Sequence, residues 1–311
     1  MDVVSLFSGI GGLDIGFSDT GYNIIWANDF DRYAVQTYRA NFGDHIVLGD
    51  INEIPLEDIP QHDVLIGGFP CQPFSMMGGM RGFEDARGTL FFRIAEIIRN
   101  QIERGHRPRA IILENVRSLR THDNGNTFAI IKRTLQELGY KVYDEILNSA
   151  EYGVPQKRNR TYIVCFANHN VDYHFPIPMP LDGLTLQDLL EHDVNDKYFL
   201  SERILPTILS NGTGGYIGKS EIDLQIARPL CASMAKMHRA CQDNYVTQNE
   251  RVRRLTPREC ARLQGFSEEF VIPVSDSQAY KQFGNAVTVN VSRAVAESVR
   301  ATLLAIGEWI E

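Results

Sequence analysis

The chain has 311 residues, of which 43% are hydrophobic and 23% charged, with a formal net charge of −8. These values suit a globular chain of one large and one smaller domain. No apolar run reaches the roughly 18 residues of a membrane-spanning helix. The opening Met-Asp-Val-Val-Ser-Leu-Phe-Ser-Gly lacks the basic start of a signal peptide, so a cytoplasmic location is expected. The acidic balance counts against a nucleic-acid partner only in part, because the charge is unevenly placed. Residues 1–60 hold ten acids against Arg32 and Arg39, whereas residues 225–262 carry eight Lys and Arg against three acids. A local basic stretch is what phosphate contact needs, although an ordinary solvated surface reads the same way.

In chain order, the apolar run 3–7 ends in Ser8-Gly9-Ile10-Gly11-Gly12, and a helix follows through Phe17. Strand candidates at 24–27, 47–48, 63–66, 110–113 and 162–166 alternate with helical patterns, clearest at 90–101 and 127–138. Short apolar strands alternating with helices predict a doubly wound, mostly parallel α/β sheet. In such sheets ligands sit at the carboxyl ends of the strands. Here those ends carry Gly, Asp, Asn, Cys or Glu, so the polar chemistry gathers at one edge. Beyond about residue 170 the periodicity weakens. Residues 174–180 hold three prolines, and 181–250 read as a smaller, irregular domain. Helical periodicity returns at 257–263 and 289–306.

The glycine loop after the first strand lets backbone approach a ligand closely, but it is not the dinucleotide fingerprint. The third glycine of that pattern would fall at 14, which is Asp14. A nucleoside without a pyrophosphate is still well served. Asp29 could accept from two ribose hydroxyls, and Asp50 from an adenine amine. Glycine-rich turns also occur without such ligands.

The five cysteines are Cys71, Cys165, Cys231, Cys241 and Cys260, with no Cys-x-x-Cys pair, so no metal site is expected. Cys71 stands apart. It lies between Pro70 and Pro73, just past a strand candidate, and the glycine-rich stretch 76–82 that follows suits a mobile lid. Such a thiol can serve as a nucleophile if it is partly exposed and electrostatically helped; the competing reading is a buried structural cysteine.

Pro70-Cys71-Gln72, Glu114-Asn115-Val116 and Gln156-Lys157-Arg158-Asn159-Arg160 together resemble the bacterial DNA cytosine-5 methyltransferases of restriction–modification type. Phe7–Gly12 is similar to the family's cofactor loop, with Asp29-Phe30 and Asp50-Ile51 in the expected order. Segments 87–92, 253–262 and 282–287 are similar to further family motifs, so the resemblance runs from residue 3 to about 291. It implies the fold of S-adenosylmethionine-dependent methyltransferases. The catalytic domain would be 1–180 completed by 285–311, and the target-recognition domain and hinge 181–284. Within the middle region, Pro229-Leu230 stands where many members have Thr-Leu, which puts a hydroxyl contact there in doubt.

The implied reaction is methylation at C5 of a cytosine within a specific duplex sequence. Cys71 would add covalently to C6. Glu114, with a pKa raised by a dry pocket, would serve N3. Arg160 would contact the base carbonyl, and Arg158 would support the same pocket. The resemblance assigns the S-adenosylmethionine site to Phe7, Ser8, Gly9, Ile10, Gly11, Gly12, Asp29, Phe30, Asp50, Ile51, Pro70, Leu90, Asn285 and Ala286. A stacked base must be flipped out of the duplex to be reached. Gln72, Ser75 and Arg81 are candidates for holding the distorted DNA, and Lys236, His238 and Arg239 for reading it. The expected partner is double-stranded DNA, with a cognate restriction endonuclease as functional counterpart; the chain is expected to act as a monomer with no membrane. Two other readings stay open, a transfer-RNA cytosine-5 methyltransferase and an inactive DNA-binding subunit.

Overall fold

The computed structural model describes residues 1–70, 90–212 and 218–309. Two compact units result. One comprises Met1–Leu147, Asn159–Ile177 and Val291–Glu311, the other Asn148–Arg158 and Pro178–Asn290. Residues 148–158, expected in the larger domain, pack with the second unit. Backbone contacts explain this: Tyr152 bridges to Met179, Gln156 bridges to Ala227, and the Lys157 N–H donates to the Ala227 carbonyl at 2.9 Å.

The first unit is built on strands β1 (Asp2–Leu6), β2 (Asn23–Asp29), β3 (Ile46–Leu48), β4 (Val64–Gly68), β5 (Ala110–Val116), β6 (Lys141–Asn148) and β7 (Asn159–Phe166). They form a seven-stranded sheet in the order β3-β2-β1-β4-β5-β7-β6. Pairs among β1 to β5 are parallel, and β7 runs antiparallel to β5. Strands β1, β4 and β5 are buried on both faces, which is why they read as unbroken apolar runs. Edge strand β6 is half-buried along most of its length, and its mixed sequence gave no comparable signal.

Helices α1 (Gly12–Ser18), α2 (Arg32–Phe42), α3 (Leu90–Glu103) and α4 (Asn126–Glu137) cover this sheet. In α3, Phe91, Ile94, Ala95 and Ile98 recur at helical spacing and are all buried; the large side chains join the core with Leu6, Leu65, Ile111 and Leu113. Asp31 caps α2 by accepting from the Tyr33 and Ala34 N–H groups. Strand order reverses between β1 and β4, and a doubly wound sheet opens a crevice at the carboxyl ends of that pair.

The second unit has little regular structure. A hairpin of β8 (Tyr245–Gln248) and β9 (Arg251–Arg254) turns through Asn249 and Glu250, both at positive φ, as a two-residue primed turn requires. Helices α5 (Leu205–Leu209), α6 (Pro257–Leu263) and α7 (Asp276–Asn285) complete it. The start of α6 is fixed by a reciprocal Thr256–Glu259 capping box with Pro257 in the first turn.

Candidate active site

The loop leaving β1 is shaped by its backbone. Phe7 adopts φ 55, a left-handed conformation uncommon outside glycine. The Ser8 N–H donates to the Asn28 carbonyl at 3.0 Å, which ties the loop to β2. Gly9, at φ +57, has nothing among the described residues within 4 Å of where a Cβ would stand, so open space lies over it there. Gly11 is the opposite case. At φ +86, any Cβ would meet the Phe42 ring at 2.4 Å, so only glycine lets α2 support the loop from below.

Asp29 ends β2 directly beside this loop. Its Oδ2 accepts from the Gly9 N–H at 2.8 Å and its Oδ1 from the Asp31 N–H at 2.8 Å. The carboxylate expected to meet a ligand therefore also holds the glycine turn in place. Phe30, next in sequence, is 71% exposed, unusual for a phenylalanine. The Asn28 side-chain amide donates to the Val47 and Gly49 carbonyls at 3.0 Å each, joining the ends of β2 and β3. Beyond them Trp26, Gly49, Asp50, Glu53 and Ile54 line a groove. Asp50 is exposed, and its Oδ1 accepts from the Asn52 backbone and side chain at 2.9 Å each. Thus Phe7, Gly9, Asp29, Phe30 and Asp50 share one edge of the sheet. Ile10 and Ile51 are buried, Gly12 opens α1, and Ser8 turns its hydroxyl inward onto Ser5.

Glu114 and Arg160 meet one strand further on. β5 pairs Glu114 with Tyr162 and Val116 with Arg160, so the two charges are diagonal neighbours on one face. Arg160 Nε lies 3.0 Å from Glu114 Oε1, with side-chain exposures of 20% and 9%. Across the other ladder Glu114 stands opposite Gly68, the last residue of β4. Cys71 follows three positions later. Cys71 itself, with Gln72, Ser75, Arg81 and the expected lid, lies outside the described residues. Pro70 is exposed, and Leu90, at the start of α3, packs half-buried against the core.

Asn115 is a residue to which sequence reasoning gave no role. Its side-chain amide donates to the Phe69 carbonyl at 2.9 Å, and its Oδ1 accepts from the Val116 N–H at 2.8 Å. It anchors the chain two residues before Cys71; its place beside Glu114 in the motif was the available signal.

Arg158, expected to support the pocket of the base, is buried. Both of its terminal nitrogens donate within the second unit, to the Leu230 carbonyl at 2.9 Å and to the Gly284 and Ala286 carbonyls at 3.0 Å each. A buried guanidinium holding three carbonyls clamps these backbone segments together. Asn285 and Ala286, expected at the cofactor site, close α7 in this same unit; Asn285 is exposed and Ala286 buried.

The basic stretch 225–262 is likewise largely committed internally. Arg253 and Glu259 form a fully buried pair at 2.6 Å, Arg251 pairs with Asp196, Arg262 with Glu268, and Arg258 donates to the Ser267 and Phe270 carbonyls. Lys236 remains exposed, on a turn ended by the left-handed Met237. The turn is held by Asp243, which accepts from the His238 N–H, and by Tyr245, which donates to the His238 carbonyl. Arg239 Nε donates to the Thr207 carbonyl.

Among the remaining thiols, Cys165 and Cys260 are buried, and burial raises both well above an ordinary thiol. They stay protonated and inert.

A model of the C-5 cytosine-specific DNA methylases matches residues 1–301. The chain belongs to this family. It is 41% identical to the type II methyltransferase M.NlaX of Neisseria lactamica, covering 98% of each chain. It is 44% identical to M.NgoBI of Neisseria gonorrhoeae, covering 94% of this chain and 90% of that one. The S. pombe Dnmt2 methyltransferase shares the fold, with a TM-score of 0.79 at 19% identity, covering 98% of this chain and 99% of that one. The fold of this DNA methylase is therefore that of the S-adenosylmethionine-dependent methyltransferases. Among the described residues, no helix is long and apolar enough to cross a membrane.

Proposed function

We propose that this DNA methylase transfers a methyl group from S-adenosylmethionine to C5 of a cytosine in a specific duplex sequence, through a covalent bond between Cys71 and C6. The observation that carries the reading is the Glu114–Arg160 pair on β5 and β7, one strand from the β4 end that leads into Cys71.

The first unit has features that suit an adenosine-type donor. Open space over Gly9 admits a ligand against the backbone, Asp29 offers acceptors for ribose hydroxyls, and exposed Phe30 offers a face for an adenine ring. Asp50 stands in the neighbouring groove, with the acceptor chemistry an exocyclic amine needs. Bound there, S-adenosylmethionine would supply an electrophilic methyl group on a sulfonium.

The chain's own residues do the rest. The Cys71 thiolate adds to C6 and forms the S–C6 bond, and the ring's electron pair shifts toward C5 and N3. Glu114 holds a proton at N3, where charge develops. Arg160 fixes the Glu114 carboxyl and reaches the base carbonyl, so both act on a base turned out of the stack. Loss of the C5 proton to water or hydroxide then re-forms the C5–C6 double bond and expels Cys71. Lys236, His238 and Arg239, with Gln72, Ser75 and Arg81, make the DNA contacts. In the cell the product would be protected from a cognate restriction endonuclease.

A duplex carrying 5-fluorocytosine at the target tests the covalent step, because fluorine cannot leave as a proton and the Cys71 bond is trapped. With S-adenosylmethionine present, the chain should form a denaturation-resistant complex that Cys71→Ser abolishes. An equal yield from Cys71→Ser, or none from the unaltered chain, would remove Cys71 from this role.

A further inference from the structure

Beneath the glycine loop runs a buried polar chain that the reaction above does not use. Asp14, on α1, is 2% exposed. Its Oδ1 accepts from the Tyr38 hydroxyl of α2 at 2.9 Å, and its Oδ2 from the Ser5 hydroxyl of β1 at 3.0 Å. Ser5 Oγ in turn accepts from the Ser8 hydroxyl at 2.9 Å. On the far side, Tyr38 meets His45 Nε2 at 2.9 Å. Since Tyr38 gives its proton to Asp14, His45 donates to Tyr38. Two lines of donors thus converge on one carboxylate, one from half-buried His45 and one from the loop itself.

Asp14 takes the position where a dinucleotide fold would have its third glycine. Its helix is packed so closely that a Cβ on Gly16 would stand 2.4 Å from Arg293 N and Ser292 Oγ. An acid in such a place needs a reason, because an ionised carboxylate without water is expensive unless it is well hydrogen-bonded. Tyr38 also packs edge-on against Phe42 at 4.7 Å, and Phe42 is the ring that fills the space beneath Gly11. The partners of Asp14 therefore touch the loop at Ser8 from one side and support Gly11 from the other.

We propose that Asp14 is a positioning residue for the methyl-donor site, holding the loop 7–12 in its binding conformation through Ser5, Ser8 and Tyr38. This rests on the reading of that loop as the S-adenosylmethionine site. The ionised carboxylate makes charge-assisted bonds, stronger than those of its neutral form. When Asp14 takes up a proton, one oxygen becomes a donor. Either the bond from Ser5 or the bond from Tyr38 must then reverse, and the hold on the loop weakens.

Burial pushes Asp14 up to about 6, against the lowering effect of the Tyr38 and Ser5 hydroxyls, and the Asp29 charge adds to the rise. Among other groups nearby, burial lowers His45, which reaches Asp14 only through Tyr38. In the C-terminal helix (Val289–Ala305) packed on α1, Arg293 pairs with Asp19 and Ser292 donates to the Leu13 carbonyl. Asp14 itself changes charge between about pH 7 and pH 5.

The test is calorimetric titration of the full chain with S-adenosylmethionine and with S-adenosylhomocysteine, from pH 5.0 to 8.0. The unaltered chain should bind steadily above pH 7 and lose up to about tenfold in affinity by pH 5, one unit below the pKa of a group that binds in its ionised form. Asp14→Asn keeps the size and removes the charge. It should bind about tenfold more weakly at pH 7.5, as loss of a buried charged partner predicts, with no comparable dependence on pH. Ser5→Ala leaves Asp14 in place and cuts its link to Ser8; it should weaken binding several-fold and flatten the profile, and it decides the matter if Asp14→Asn does not fold by circular dichroism. Wild-type affinity, or a wild-type pH profile, in the folded variants would overturn the role of Asp14. Failure of the unaltered chain to bind either nucleoside would instead overturn the reading of the loop, and the proposal with it.

Discussion

Arg158 and Arg160 stand two positions apart in one motif and have opposite surroundings. Arg160 lies on a strand of the first unit with its Nε against a carboxylate at a sheet edge, and keeps a fifth of its side-chain surface exposed. Arg158 is buried in the second unit, with both terminal nitrogens committed to backbone carbonyls. The same contrast holds between larger regions. Along the carboxyl edge of the sheet stand Asp29, Phe30, Asp50, Glu114 and Arg160, with Phe30 and Asp50 exposed. In residues 225–262, most arginines are tied to carboxylates and carbonyls of their own unit. A count of charges in a sequence says where cations are, but their partners decide whether they can meet a ligand.

The largest effect should come from the sheet edge. Glu114→Gln removes the acid at N3 and should slow methyl transfer by about 10²–10⁴-fold with little change in melting temperature. A variant that loses less than tenfold would place the acid elsewhere. Glu259→Ala attacks the committed side. It leaves Arg253 charged and fully buried, and should destabilise the second unit by about 3–5 kcal/mol in urea unfolding. A loss below about 1 kcal/mol would mean that water reaches Arg253. The two motif arginines sharpen the contrast directly. Arg158→Met strands three carbonyl acceptors and should lower stability on the order of 3 kcal/mol, whereas Arg160→Met should lower turnover and leave the melting temperature nearly unchanged. The reverse pattern would exchange their roles. The smallest effect is expected from Lys236→Ala, read as DNA affinity against salt. Its exposed ammonium should account for roughly one phosphate, so the slope should fall by about one without a change in stability.

Much of the first unit was legible because its inner strands are buried on both faces and so read as unbroken apolar runs. Strand β6 escaped because it is an edge strand, only half-buried along most of its length, and the antiparallel course of β7 leaves no mark in composition. In the second unit, the hairpin of β8 and β9 was hidden among charges whose pairing is tertiary. Its two-residue turn uses Asn249-Glu250 rather than the Asn-Gly that would have signalled it. The shift of residues 148–158 to that unit depends on backbone pairing with Met179 and Ala227, which no local pattern encodes. At the site, Glu114, Arg160 and the glycine loop stood out as motifs. The clamp at Arg158, the anchor at Asn115 and the inward hydroxyl of Ser8 needed coordinates.

The central claim is that the sheet edge methylates cytosine in DNA through Cys71. Its most direct test is transfer of labelled methyl groups from S-adenosylmethionine to unmethylated duplex DNA, with transfer RNA and Cys71→Ser in parallel. The expected result is label in DNA as 5-methylcytosine, none in transfer RNA, and none in either from the variant. Label in transfer RNA alone, or label in DNA that survives the loss of the thiol, would contradict it.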